Sequence, residues 1–325
     1  MATVAVTGAG GFIGAYLTRE LLARGHRVLA IDNFLRGRAS RLDGLDGDFE
    51  LVELDVRDRD GLVGALKGVD AMFHLAAVNG TENFYKRPEL VLDVGVRGAL
   101  AVCEACVEIG VPDLVVASSA EVYQTPRIVP TPEEIEMVIP DSLNPRFSYG
   151  GSKLISELIA FNYCRDKLAK VQVFRPHNVY GSDMGWKHVI PQLIAKVQHA
   201  ASSGTGEVRL QGDGSETRAF CHVDDVVAGI LLMWDKGETM NVYHIGTQEE
   251  TAISDLAALI ATTMSEDVKF VAGPLAEGGT PRRCPDIGKM RRLGYEPQVS
   301  LAEGVRRTAQ WYVEHPRPDD TNELL

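Results

Sequence analysis

The chain has 325 residues, enough for one large domain or two closely joined ones. Its formal net charge of −12 argues against a general nucleic-acid surface. The hydrophobic fraction of 45% is ordinary for a folded soluble chain, and no apolar run reaches the length of a membrane span.

Met1 leads straight into a strand pattern, without the basic start and cleavage site of a secretory leader. The five cysteines are scattered and odd in number, which predicts reduced thiols and a cytoplasmic location. In chain order the pattern predicts a strand from Thr3 to Thr7, a helix from Gly14 to Arg24, and strands from Arg27 to Asp32 and Phe49 to Asp55. A helix from Asp58 to Lys67 and a strand from Asp70 to Ala77 follow. One unbroken helix is expected from Pro88 to Ile109, then a strand from Leu114 to Ser119. Cys103 and Cys106 form a C-x-x-C inside that helix, with no second ligand pair nearby, so they are read as packing rather than a metal site. Thr125 to Arg146 is a long proline-rich connection. A helix from Tyr149 to Leu168 and a strand from Val171 to Phe174 complete the regular part.

After Pro176 the pattern is irregular, with turns at Gly204, Gly206, Gly212 and Gly214. A helix from Val223 to Trp234 and a strand from Asn241 to Ile245 are expected to return to the first unit. The tail after His315 is polar and expected to fray. Strands alternating with helices predict an α/β fold whose parallel sheet is covered on both faces. The expected division is 1–175, with about 221–248 returning, and a smaller C-terminal lobe of 176–220 and 249–325.

The first strand runs into Thr7-Gly8-Ala9-Gly10-Gly11-Phe12-Ile13-Gly14. Gly8 permits a tight turn, Gly11 lets the backbone approach a pyrophosphate, and Gly14 lets the helix pack on the strand. Phosphates then sit at the helix N-terminus. Asp32 ends the second strand, where an acidic side chain bonds ribose hydroxyls and repels a 2′-phosphate. The pattern therefore predicts NAD rather than NADP, with Arg36 and Arg38 weakening that preference.

Tyr149 and Lys153 are four apart at the start of a predicted helix, one turn from each other on one face. A nearby ammonium and a cationic nicotinamide favour a phenolate, which can act as a general base. Ser119 ends the fifth strand, at the sheet edge where ligands bind in such folds.

Together these residues make the chain resemble the extended short-chain dehydrogenase/reductase family, which holds NAD-dependent nucleotide-sugar epimerases, dehydratases and decarboxylases. The resemblance implies a Rossmann-type doubly wound parallel sheet with a smaller substrate-binding lobe. It matches the glycine loop with Gly8, Gly11 and Gly14, including Phe12 and Ile13, and the ribose ligand with Asp32 beside Asn33. The adenine-contacting pair matches Asp55-Val56, and the H-L-A-A strand matches His74-Leu75-Ala76-Ala77. Ser119, Tyr149 and Lys153 match the catalytic set. Pro176 matches the residue passing the nicotinamide, and Asn178 the one meeting a substrate diphosphate. Arg218 and Arg283 match nucleotide-side arginines, and Trp186 is a candidate stacking group for base or sugar.

Three departures bear on the reaction. Dehydratases commonly carry an acidic pair after the catalytic Ser/Thr; here Glu121 is present but Ala120 replaces its partner. Gly95 stands where the family commonly has asparagine. Val78 to Asn83 is unusually polar and is expected to line a sugar pocket with Met184 to His188. The resemblance implies an NAD-dependent nucleotide-sugar epimerase acting most often at C4, with a nucleotide-diphosphate sugar substrate, no metal, and a homodimer built on the two long helices. The alternatives are a 4,6-dehydratase or decarboxylase using Glu121, and a non-catalytic NAD sensor or scaffold.

Overall fold

The computed structural model describes residues 1–274 and 280–316, so nearly all of the predicted frayed tail lies outside the described residues. Seven strands form the central sheet: β1 (Thr3–Thr7), β2 (Arg27–Asp32), β3 (Phe49–Glu53), β4 (Ala71–His74), β5 (Asp113–Ala117), β6 (Lys170–Pro176) and β7 (Asn241–Ile245). All are parallel, in the order β3-β2-β1-β4-β5-β6-β7. The fold is thus a Rossmann-type doubly wound sheet, and its crevice opens where the order reverses between β1 and β4.

The β1 run Val4-Ala5-Val6 is fully buried because both faces are covered. Val4 and Val6 pack with Leu17, Phe73, Ile230 and Trp234, under helices Phe12–Ala23 and Val223–Lys236. Ala5 packs with Met72, Val102, Leu114 and Val171, under helices Gly98–Ile109 and Ser148–Cys164. Cys103, Cys106 and Cys164 are free, buried thiols in this second layer.

The single helix expected from Pro88 to Ile109 is interrupted. Pro88–Leu92 is α-helical, Asp93–Arg97 is one π turn, and Gly98–Ile109 is α-helical again. The break lies at the departure Gly95. A Cβ there would come 2.6 Å from the Ser152 Cβ, and the Ser156 hydroxyl donates to the Gly95 carbonyl at 3.0 Å. The wider turn and the missing side chain let two helices approach closely. Gly95 thus serves helix packing.

The region after Pro176 holds more regular structure than its sequence suggests. Helices Val189–Ser202, Ile253–Met264 and Leu301–Glu314 pack through Ile190, Ile194, Leu256, Ile260, Val305 and Tyr312. Strand Thr217–Ala219 pairs antiparallel with Glu250–Ala252 and parallel with Arg282–Arg283. The elements that bury one another are far apart in the chain, so local patterning understates them. Among the described residues, no helix is long and apolar enough to cross a membrane.

Candidate active site

The carboxyl ends of β1, β4, β5 and β6 bring the expected residues to one edge of the sheet. On the β1 side the turn is built from missing side chains. Gly8 has φ +73°, and a Cβ there would lie 2.9 Å from the Ala76 nitrogen. A Cβ on Gly14 would overlap the Gly8 carbonyl oxygen. Phe12 and Ile13 pack against the core beneath the turn, and Phe12 also touches the C-terminal cluster. Thr7 ties the neighbouring strand to the turn: its hydroxyl accepts the Leu75 N–H at 3.2 Å and meets His74 Nδ1 at 2.8 Å. Leu75, Ala76 and Ala77 follow β4, half-buried beside Gly8.

Asp32 closes this side. It accepts the Gly10 N–H at 2.9 Å and the Phe34 N–H at 2.8 Å. Burial nevertheless keeps its carboxyl above the usual value. Arg38 and Arg41 both pair with Asp183, Arg41 at 2.9 Å. Arg36 lies beside Gly80, and its charge is felt at Tyr149 and His188. Asp55 is more committed than its motif implies. Its two oxygens accept from the Arg57 backbone N–H, Nε and Nη2 and from Asn33 Nδ2, at 2.6–2.9 Å. The Arg57 bonds hold its pKa down to about 2. Four donors fill a carboxylate's acceptor positions, so an adenine amine reaches Asp55 only by displacing one. Val56 is buried against Gly98.

The chemical side is built from charges and hydroxyls. Tyr149 and Lys153 occupy the buried face of helix Ser148–Cys164, 8% and 3% exposed. The Tyr149 ring stacks on Phe84, centroids 5.3 Å apart, and Ser119 hydrogen-bonds to its phenol. The Ser119 hydroxyl also accepts the Glu121 N–H at 3.2 Å. Lys153 Nζ donates to the Ala117 carbonyl at 2.7 Å and lies 5.9 Å from the Tyr149 centroid. Burial lowers the Lys153 pKa to about 8, and it raises that of Tyr149 to about 12. Protein groups therefore push the phenol up, against the expectation from the Tyr149–Lys153 spacing. The reason is that desolvation dominates while the ammonium points at a carbonyl.

Beyond Tyr149 lies an arginine cluster. Arg283 Nη1 donates to Glu121 Oε1 at 2.7 Å. Burial pushes Glu121 toward protonation, but Arg283, Arg146 and Arg218 outweigh it and hold its pKa below the ordinary value. Arg218 and Arg283 are register partners on the small sheet. Asn178, at φ +40°, donates to the Ala219 carbonyl at 3.4 Å. Trp186 packs edge-on against Tyr312 with centroids 4.5 Å apart, a contact that accounts for it as packing. Lys187 reaches Glu82 at 2.5 Å, which joins the two segments expected to line a sugar pocket.

Residues 4–246 match the model of the NAD dependent epimerase/dehydratase family. A UDP-glucose 4-epimerase of Mycolicibacterium smegmatis is 32% identical, covering 94% of this chain and 97% of the relative. A UDP-N-acetyl-alpha-D-glucosaminuronate decarboxylase of Bacillus cytotoxicus is 28% identical, covering 95% and 97%. The structure resembles DesIV, a dTDP-glucose 4,6-dehydratase of Streptomyces venezuelae crystallised with NAD. Its TM-score is 0.84 and its identity 30%, over 96% of this chain and 97% of that one. The chain belongs to the NAD dependent epimerase/dehydratase family.

Membership makes it an NAD-dependent enzyme. The residues present fit that cofactor. The glycine turn leaves no room for a Cβ, and the Phe12–Ala23 helix begins there with no side-chain cap, which suits an anion. Several residues of the site were not picked out from the sequence. Phe84 stands on the short helix Thr81–Lys86, whose pattern is too brief to read. Arg146 lies just before the Tyr149 helix, where nothing in its spacing marks it. Glu157 had a usable signal, one turn beyond Lys153.

Proposed function

We propose that this enzyme is a nucleotide-sugar 4-epimerase, with Tyr149 as the proton-transferring group, Ser119 holding the reacting oxygen and Lys153 placing charge beside it. The observation that carries this choice is the state of the residues after Ser119. Glu121 is committed to Arg283 with a depressed pKa, and Ala120 supplies no acid. Elimination across C5 and C6 needs a base strong enough for a carbon acid and an acid for the leaving hydroxyl. A carboxylate stabilised by arginine is a poor base, and its neighbour is a methyl group.

Bound NAD⁺ would supply the hydride acceptor and donor and a positive charge that favours the phenolate. Tyr149 takes the C4 hydroxyl proton and returns it when the ketone is reduced on its other face. Ser119 donates to the developing carbonyl oxygen. Phe84 and the surrounding apolar residues exclude water from the phenol. Asn178, Arg218 and Arg283, in the lobe of residues 176–220 and 249–325, bind the nucleotide diphosphate. We also infer a homodimer through the two long helices, on the second of which Ile155, Leu158 and Tyr163 are 37–51% exposed. Light scattering on the NAD-loaded protein should give twice the chain mass.

A second reading, lyase chemistry, rests on the closeness of the Glu121–Arg283 pair to Tyr149, whose phenol feels the Glu121 charge. Turnover of UDP-glucose and dTDP-glucose in deuterated water separates the two. Epimerisation places no deuterium on carbon, and Glu121→Gln keeps turnover within about tenfold, since no proton transfer is lost. Carbon-bound deuterium at C5 or C6, or carbon dioxide released from a UDP-uronate, overturns the epimerase reading.

A further inference from the structure

The chain after β6 returns to the glycine turn, and ion pairs hold it there. Asp183 receives two arginines of the loop after β2. Its Oδ2 accepts from Arg41 Nε at 2.9 Å, its backbone carbonyl from Arg41 Nη2 at 2.7 Å, and its Oδ1 from Arg38 Nη2. Arg41 Nη1 also donates to the Gly10 carbonyl at 3.1 Å, and the Arg38 backbone N–H donates to the same oxygen at 2.9 Å. One guanidinium thus bridges the glycine turn and Asp183. These groups are largely withdrawn from water: the Arg41 and Asp183 side chains are 12% and 24% exposed.

The contacts ring the N-terminus of helix Phe12–Ala23. Before the helix, the loop after β2 lies on Gly10, where a Cβ would stand 3.1 Å from the Phe34 ring and 3.2 Å from the Arg38 backbone. Past its start, a Cβ on Gly181 would stand 3.3 Å from the Phe12 ring, and the Tyr16 hydroxyl donates to the Ser182 carbonyl at 3.4 Å. Asp183 closes the ring by joining these two flanks. The far end of its segment is held separately. There the Tyr312 hydroxyl donates to the Gly185 carbonyl at 3.0 Å, and Lys187 reaches Glu82 at 2.5 Å.

The backbone on both flanks is strained. Phe34 and Asp183, at φ +54° and +61°, hold the left-handed conformation that costs a non-glycine residue energy. Phe34 lies in the loop after β2, and Asp183 takes that loop's arginines. Strained backbone of this kind persists where contacts over-determine it and relaxes when they break. Gly185, at φ +90°, gives the segment a point about which to turn.

We propose that Asp183, with Arg38 and Arg41, is a latch over the cofactor turn that opens for NAD to enter or leave. This rests on NAD lying at the glycine turn. The latch is made of protein groups alone, so its opening is a step common to both directions. Weakening it therefore speeds entry and release together and leaves the affinity unchanged. Losing a direct contact to the cofactor speeds release alone. A cofactor that takes a hydride and gives it back must stay through both steps, and a slow latch serves that need.

The test follows NAD rather than turnover. Holoenzyme carrying radiolabelled NAD is chased with unlabelled NAD to read release, and NAD added back to the stripped protein reads entry. Asp183→Asn keeps the shape and an acceptor oxygen but removes the charge. Release and entry should each quicken about fivefold, the factor for a partly buried ion pair, with the dissociation constant unchanged. Added salt should quicken the wild type toward the variant and leave the variant where it is. Wild-type rates in the folded variant overturn the proposal. Faster release with unaltered entry and weaker binding overturns it too, since that marks an ordinary contact or a loosened fold. Where Asp183→Asn does not fold, Arg38→Met, at a half-exposed position, decides by the same criteria. Gly14→Ala separates this from the parent reading. A fully loaded Gly14→Ala protein sinks the placement of NAD at the turn, whereas unmoved rates in Asp183→Asn sink only the latch.

Discussion

The two sides of the crevice are built on opposite plans. On the proposed cofactor side, from Gly8 to Asp32, the site is shaped by side chains that are missing. On the sugar side, from Ser119 to Arg283, it is shaped by buried charges held in pairs. The first plan tolerates no added atom. The second tolerates changes of shape but not of charge. Sites for a constant cofactor and for a variable sugar thus differ in what a mutation must disturb to matter.

The largest effect expected is on the sugar side. Tyr149→Phe changes almost no volume, yet turnover should fall about 10²–10⁴-fold, because the proton-transferring group is gone. The melting temperature should hold, and retained turnover would break the comparison. Next comes the cofactor side. Gly14→Ala adds one methyl against the Gly8 carbonyl and should lower stability by about 1–3 kcal/mol, the usual range for overpacking. Its NAD content after purification should drop as well, read as cofactor released on denaturation. A fully loaded Gly14→Ala protein would show that the turn yields more than its geometry implies.

Asp32→Asn probes the carboxylate that closes the cofactor side. It keeps the acceptor toward Gly10 and removes the repulsion of a 2′-phosphate, so the preference for NAD over NADP should shrink about tenfold, about 1.4 kcal/mol. Direct titration of both cofactors measures it. The smallest effect is a dependence on pH. Glu121 has a folded pKa below its ordinary value, so its ion pair stabilises the protein above the ordinary carboxylate range. That contribution is lost as pH falls through the folded value. In Arg283→Met burial dominates, the pKa rises, and protonation favours the folded state. The melting-temperature gap between wild type and Arg283→Met should therefore narrow from pH 7 to pH 4. A gap that widens would mean that Arg283 is not what holds Glu121 ionised.

Legibility followed the same divide. The glycine turn, Asp32 and β1 to β6 were readable because their signals are local: a turn needs glycine where it bends, and a doubly covered strand needs an apolar run. Tyr149, Lys153 and Ser119 were readable through fixed spacing and strand ends. Phe84 was not, since it stands on a helix of six residues, and Arg146 was not, since nothing in its spacing marks it. Nor did spacing reveal that Lys153 is turned toward Ala117, or that burial raises the Tyr149 pKa. Those follow from desolvation, which only the folded chain has. The helices after Pro176 were hidden for a related reason: Val189–Ser202, Ile253–Met264 and Leu301–Glu314 find their apolar partners in one another.

The π turn at Asp93–Arg97 has one more consequence. One extra residue in an α-helix rotates everything after it by about 100°, since a turn takes about 3.6 residues. The long helix therefore carries two angular phases joined at Gly95. Gly95 meets Ser152 of the neighbouring helix, and three residues later Gly98 meets Val56, just after β3. Removing one residue at Gly95 would re-phase every contact from Gly98 to Ile109, whereas a point substitution disturbs one. The segment is a keyway: its length, more than its composition, decides which strand and which helix it can serve together.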